Sequence, residues 1–368
     1  MTDAFSSALW RRARTSTTTD QRLAAAGRDT RFREIISAQA PSTALVEVPT
    51  NPIPKTVQVG FFPGFDGVPL RYAIWSATRS PSRGTVCIFH GRGEFIEKYF
   101  ETISDLRYRG FSVATMDWRG QGASYRHLEN PRKGHIVDFA EYDKDLLRFM
   151  KDVVLPDCPP PFIAIGHSMG GNILLRNAVK AGSWFDRMVL SAPMIAIEPG
   201  YMGFSTPIVR GYSETFSLAG LSHAYAHGGS DRLDRSFVHF DGNVLTSDET
   251  RWARHRDITK TGPHLVVSSP TVGWLRAALR STAMLSRPQF ARDVLVPTLI
   301  IAPARDQIVS TRASEEFGTR LKLGRAVLLP GARHEILQER DEVRDGFWAA
   351  FDAYLGVRQP GSSIADLG

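Results

Sequence analysis

Cysteine is nearly missing from this chain of 368 residues: only Cys87 and Cys158 occur. Two cysteines are too few for a disulfide framework, so a packed core must stabilise the fold. A reducing compartment is the simpler expectation, although a single Cys87–Cys158 bridge is compatible with the sequence. Long apolar runs are missing as well. The longest, 294–304, is interrupted by Pro297 and Pro303, and spanning a bilayer takes roughly 18–20 apolar residues. No hydrophobic stretch follows the N-terminal arginines, which excludes a secretory signal. Asp3, Asp20, Asp29 and Glu34 argue against a transit peptide. Lysine is scarce, supplying eight of the 45 basic residues. The formal charge is +7, yet the arginines are dispersed, and the densest cluster, Trp10-Arg-Arg-Ala-Arg14, lacks interleaved aromatics. Nucleic acid is therefore not an expected partner. A mild attraction to anionic membrane surfaces is. The expected location is cytoplasmic, at most peripheral to a membrane. Oligomeric state is left open.

What is present is an ordinary globular composition, 42% apolar and 23% charged, which excludes disordered and collagen-like classes. Residues 1–55 read as a polar leader with a short helical piece near 31–38, then Pro41, Pro49, Pro52 and Pro54; no catalytic part is assigned to it. From Val57 the pattern becomes regular. Segments 57–62 and 70–75 flank Gly64-Phe-Asp-Gly67 as an antiparallel hairpin. Short apolar strands are expected at 85–89, 111–116, 161–165, 188–190, 297–302 and 326–329. Helices are expected over 96–109, over 171–181, over 341–355, and through Phe139, Tyr142, Leu146, Leu147, Met150 and Val153 at 3.6-residue spacing. With the hairpin that makes eight strands, a mostly parallel α/β sheet with helices on both faces. The core is expected at 56–194 and 294–358, with a flexible tail at 359–368. Residues 195–293 break the alternation, with helix-like stretches at 209–221 and 272–285, and read as a helical cap over the strands' carboxyl edge.

The strongest chemical signal is Ile165-Gly-His-Ser-Met-Gly-Gly171, directly after one strand and directly before a helix. Gly166 and Gly170 allow the sharp turn that lifts the Ser168 hydroxyl clear of the sheet, as in a nucleophile elbow. A serine hydroxyl needs a base, itself oriented by an acid. Of ten histidines only His334 follows the last strand. Asp306 follows the strand before it, and Asp293 lies at the wrong strand end. The order Ser168, Asp306, His334 is that of α/β-hydrolases. Oxyanion donors are expected in the backbone N–H groups of Met169 and Arg92, each contributing about 3–4 kcal/mol to the transition state. Arg92 sits in His90-Gly-Arg-Gly-Glu-Phe95, where His90, Gly91 and Gly93 support the turn.

Together with Asp117-Trp-Arg-Gly-Gln-Gly122, these motifs resemble the serine-hydrolase branch of the α/β-hydrolase fold, nearest to lysophospholipases and monoacylglycerol lipases. The resemblance covers residues 57–356. It implies a cap over an acyl-binding pocket and hydrolysis of a monoacylated lipid ester through an acyl-enzyme. Arg92 and Phe95 stand where monoacylglycerol lipases commonly have a small residue and a histidine, which favours the lysophospholipase side. The cap sequence matches only loosely.

No metal or organic cofactor is expected, because nucleophile, base and oxyanion donors all come from the chain. His223-Ala-Tyr-Ala-His227 has a spacing that can put two imidazoles on one helical face, but further ligands are not evident. Asp117, Arg119 and Gly122 read as structural hydrogen-bonding groups. Phe204, Ile208, Val209, Phe216, Leu218 and Leu221 either bind an acyl chain or pack the cap. Competing readings keep the same residues: an esterase on small non-lipid esters, a cofactor-free perhydrolase or C–C bond hydrolase, an acyltransferase, or a binding module. A hydrolase with an aspartate nucleophile is disfavoured by serine at 168.

Overall fold

The computed structural model describes residues 43–233 and 235–357. The leader up to residue 42, with its expected helical piece, and the tail 359–368 lie outside the described residues. Residues just before the sheet pack onto it. Asn51 Nδ2 donates to the Glu97 carbonyl at 2.9 Å, and Trp75 Nε1 donates to the Pro54 carbonyl at 2.9 Å.

Eight strands form one sheet in the order β1-β2-β4-β3-β5-β6-β7-β8. They are β1 (Val57–Pro63), β2 (Pro69–Trp75), β3 (Thr85–Phe89), β4 (Ser112–Met116), β5 (Phe162–His167), β6 (Arg187–Ser191), β7 (Thr298–Pro303) and β8 (Gly324–Leu329). The β1–β2 and β2–β4 pairs are antiparallel and the remaining pairs parallel. Gly67, at φ 82°, closes the hairpin expected between β1 and β2. Strands β3, β4, β5 and β7 are buried along their whole length, which explains their continuous apolar sequences. Strand β8 is an edge, and Val327 and Leu328 are exposed on it.

Two apolar clusters cover the two faces. One joins Trp118, Phe149, Leu174 and Leu190; the other joins Trp75, Ile103, Ile165 and Phe351. The helices that supply them include α1 (Phe100–Tyr108), α2 (Phe139–Phe149), α3 (Met169–Ala178), α7 (Thr311–Arg320) and α8 (Asp341–Leu355). Two differ from the sequence expectation. The start of the first helix is a buried 3₁₀ turn, Ile96–Tyr99, held by Ile96 N–H donating to Asp117 at 3.0 Å. After α2 the chain widens into a π-helical turn, Met150–Val154, which buries both Val153 and Val154.

Between β6 and β7 the chain runs through α4 (Thr206–Leu218), α5 (Glu249–Thr261) and α6 (Val272–Leu285). Helix α5 has no apolar stripe in its sequence. Arg251 and Arg254 of α5 instead clamp Glu101 of α1. His223–His227 is not helical; Tyr225 within it bridges to Thr271, so the two imidazoles do not share a helical face.

Chain order reverses direction between β3 and β5. Their carboxyl ends diverge into the glycine turn after β3 and the elbow after β5. In open α/β sheets that crevice is where ligands bind.

Candidate active site

Ser168 adopts φ 50° and ψ −114°, a conformation that L residues rarely take, between β5 and α3. The glycines beside it permit this. A Cβ on Gly166 would come 2.6 Å from Leu174 Cδ1, and one on Gly170 would come 2.1 Å from the Phe89 carbonyl oxygen. Ser168 N–H donates to the Ser191 carbonyl at 3.1 Å, while its own carbonyl accepts from Met194 and Asn172.

Three residues from three loops meet here. His334 Nε2 lies 3.0 Å from Ser168 Oγ, and His334 Nδ1 lies 2.7 Å from Asp306 Oδ2. A carboxylate only accepts, so Nδ1 carries the proton and Nε2 is left to accept from the hydroxyl. The second oxygen of Asp306 accepts from the N–H groups of Ile308 and Val309, at 2.8 and 3.0 Å. Burial pushes the Asp306 pKa up, but His334 and these two N–H groups outweigh it and hold the carboxyl below its ordinary value. Burial likewise opposes a charged His334. Asp306 overrides that opposition, aided by Glu335 and Glu94, and the imidazole ends above its ordinary value of 6.5.

The turn after β3 lies against the elbow: a Cβ on Gly91 would stand 3.2 Å from Ser168 Cβ. Met169 is the first residue of α3, so its N–H faces out of the helix start. The Arg92 side chain turns towards the insertion, where its guanidinium donates to the Ser268 carbonyl and lies 5.2 Å from the Trp274 ring centroid. Gln121 braces both loops, accepting from Gly93 N–H at 2.6 Å and lying 3.6 Å from Met169 Sδ. His90 is fully buried and structural, its Nδ1 donating to the Gly91 carbonyl at 2.7 Å. Gly93 has φ 76°, and a Cβ there would stand at ordinary contact distance, 3.8 Å, from Val267 Cγ2.

The residues read as structural behave so. Asp117 accepts from Arg71 Nε at 2.7 Å and from Ala123 N–H at 2.8 Å, and a Cβ on Gly122 would strike its carboxylate at 2.1 Å. Arg119 is bound by Asp145 and Asp66.

Sequence reasoning missed Glu94, Lys98, Tyr99 and Glu335, a buried polar group behind His334. The available signal was a Glu–Lys pair four residues apart directly after the glycine turn, and an acidic residue directly after His334. Of the six apolar residues on and near α4, Val209 is buried, whereas Phe204, Ile208, Phe216, Leu218 and Leu221 are exposed. A cavity of about 450 Å³ lies elsewhere, lined by Tyr125, Arg126, His127 and Glu129 among others, and includes none of the three residues above. Cys87 and Cys158 are buried and form no disulfide. No helix among the described residues is long and apolar enough to cross a membrane.

Residues 80–341 match the family model of serine aminopeptidases, S33. Lysophospholipase L2 of Escherichia coli is 30% identical over 290 residues, covering 77% of this chain and 83% of that one. A monoacylglycerol lipase of Mycolicibacterium smegmatis is 25% identical over 289 residues, covering 76% and 91%. Among solved structures, a soluble variant of Saccharomyces cerevisiae monoglyceride lipase superposes with a TM-score of 0.65 at 21% identity, over 86% of this chain and 99% of that one. That likeness concerns the fold. The chain therefore belongs to the serine aminopeptidase S33 family, as an α/β-hydrolase-fold serine hydrolase of the lysophospholipase and monoacylglycerol lipase type.

Proposed function

We propose that this enzyme hydrolyses a monoacylated lipid ester, a lysophospholipid or a monoacylglycerol, through an acyl-enzyme on Ser168. The observation that carries the reading is the hydrogen-bonded chain from Ser168 through His334 to Asp306 at the carboxyl edge of the sheet. Ser168 Oγ attacks the ester carbonyl as its proton passes to His334 Nε2. Asp306 keeps the imidazole in the required tautomer and stabilises the imidazolium. The N–H groups of Arg92 and Met169 receive the oxyanion. Nε2 then protonates the leaving alcohol, and the same nitrogen activates the water that releases the fatty acid.

Residues 195–293 act as the cap, with the acyl chain beneath it. Phe95 supports the lysophospholipase side of this reading: its ring stacks on His255 of α5, at 5.6 Å between centroids, joining the oxyanion turn to the cap. The 30% identity to a lysophospholipase points the same way. The exposed apolar residues around α4, in a chain of formal charge +7, suit transient contact with an anionic lipid surface.

The test is product release from a lysophosphatidylcholine, a monoacylglycerol and short p-nitrophenyl esters. Wild type prefers the long-chain lipids. Ser168→Ala and Asp306→Asn lose about 10⁴-fold or more in kcat on them. Cleavage of short esters alone would replace the lipid reading with a small-ester esterase, and silence on every ester would sink both.

A further inference from the structure

Behind His334 lies a set of buried titratable groups that the steps above do not use. The Lys98 ammonium sits 2.7 Å from Glu94 Oε1 and 2.5 Å from Glu335 Oε1. Lys98 and Glu94 are 4% exposed and Glu335 is 8% exposed. Lys98 and Glu94 belong to the segment after β3, whereas Glu335 follows His334 after β8, 237 residues from Lys98 in the chain. The other oxygen of Glu94 accepts from Gly91 N–H at 2.5 Å and from the Tyr99 hydroxyl at 2.8 Å. Gln338 Nε2 strengthens the join by donating to the Lys98 carbonyl at 3.2 Å. One buried cation thus links the glycine turn at Gly91 to the residue next to His334.

A buried ion pair stabilises a fold little compared with apolar side chains of the same shape. Stability alone therefore does not account for three charges in this place. Their geometry does, because the two loops they join carry the oxyanion donor Arg92 and the base His334. We propose that Lys98, shared between Glu94 and Glu335, is a positioning residue that holds the Gly91–Arg92 turn in register with His334 and sets the charge around that imidazole. The proposal rests on the assignment of Ser168 and His334 given above.

The electrostatic part follows from the signs. With both carboxylates ionised, the two of them and one ammonium leave one negative charge near His334; burial raises the Glu335 pKa against the pull of Lys98 and so opposes its share of that charge. That charge favours the imidazolium that forms as Ser168 attacks. The groups facing His334 are Asp306 from the loop after β7, His167 from β5, its neighbour Glu335, and Glu94. Those facing Lys98 are Glu94, Glu335, Tyr99 and His255 of α5. His167 lies 4.0 Å from Glu94, but burial holds its pKa down to about 4, so it stays neutral.

The experiment uses the full chain and the preferred ester of the panel, with Lys98→Met, Lys98→Arg and Glu335→Gln compared against wild type. A thermal melt first establishes which variants fold. Glu335→Gln keeps an acceptor for Lys98 and the side-chain shape, so it remains informative if Lys98→Met does not fold. In kcat/KM against pH, the acid limb reports the free enzyme's base. Removing the cation moves that limb to higher pH, and removing Glu335 moves it to lower pH. Lys98→Met loses about tenfold or more in kcat with KM within about twofold, as a misplaced turn requires, whereas Glu335→Gln, which keeps the bond to Lys98, loses less. Lys98→Arg keeps the charge and returns the limb towards wild type. A folded Lys98→Met or Glu335→Gln whose limb stays in place, or a folded Lys98→Met that keeps kcat within about twofold, overturns the proposal. Turnover surviving in Ser168→Ala would instead overturn the parent assignment, whatever the limbs do.

Discussion

The carboxyl edge of the sheet and the outer face of α4 distribute polarity in opposite ways. At the sheet edge, charge is buried: Arg71 has no exposed surface, yet it donates to Glu97 at 2.8 Å and to Asp117 at 2.7 Å. On α4, apolar groups are exposed, Ile208 to 60% and Leu218 to 82%. The first arrangement is tolerable only because each ion has bonded partners. It leaves little freedom of shape, which suits groups that must hold a reacting ester to within a fraction of an ångström. The second leaves its surface uncovered among the described residues. One enzyme therefore combines a rigid chemical edge with a permissive outer helix.

Glycine substitutions break that contrast most sharply. Gly170→Ala drives a methyl group into the Phe89 carbonyl, so it should cost about 3 kcal/mol or prevent folding. Gly211→Ala, in α4, meets nothing within 4 Å among the described residues and should gain about 0.5–1 kcal/mol. Urea melts of the two variants measure both.

Acid is the next lever. Burial holds His135 and His167 down to about 4 and His255 down to about 3. Between these values and 6.5 the unfolded chain binds more protons than the folded one, so stability falls as pH falls through that window. The slope is at most about 1.4 kcal/mol per pH unit for each histidine. His334 runs the other way: its pKa is raised, so its contribution is complete below 6.5 and is lost as pH rises through the folded value. Melting temperatures measured from pH 7 to 4.5 should decline. A flat profile would show that the buried imidazoles remain hydrated.

The smallest effect on stability is expected on α4 itself. Ile208→Gln and Leu218→Gln should leave the melt within about 0.5 kcal/mol of wild type. Co-sedimentation with anionic phospholipid vesicles should nevertheless drop. Unchanged sedimentation would assign the lipid contact to another face.

The same contrast explains what could be read in advance. Ser168, Gly166 and Gly170 were legible because a tight turn between a buried strand and a helix admits few residues. Asp306 and His334 were legible because each follows a recognisable apolar strand. The Lys98–Glu335 pair was not: its partners are distant in sequence, and neither lies on a periodic stripe. Helix α5 escaped for a related reason, since Arg251 and Arg254 fasten it through Glu101 while Trp252 and Ile258 are its only buried apolar side chains. The π-turn after α2 leaves the apolar spacing almost unchanged while altering the hydrogen bonds. The exposed side chains on α4 showed their residue types but not their direction.

The insertion leaves from β6 and returns on β7, and these strands are hydrogen-bonded neighbours, with Met188 opposite Thr298 and Ser191 opposite Ile301. The pair is parallel, so the insertion leaves at the carboxyl edge of β6 and re-enters at the amino edge of β7, its two ends fixed by the sheet at opposite edges. Lengthening, shortening or exchanging what lies between them adds little closure entropy, about 0.6 kcal/mol for a doubling of loop length. Under the proposed reading, in which this insertion covers the acyl site, substrate preference can therefore drift with the segment between those two anchors while Ser168, Asp306 and His334 keep their places.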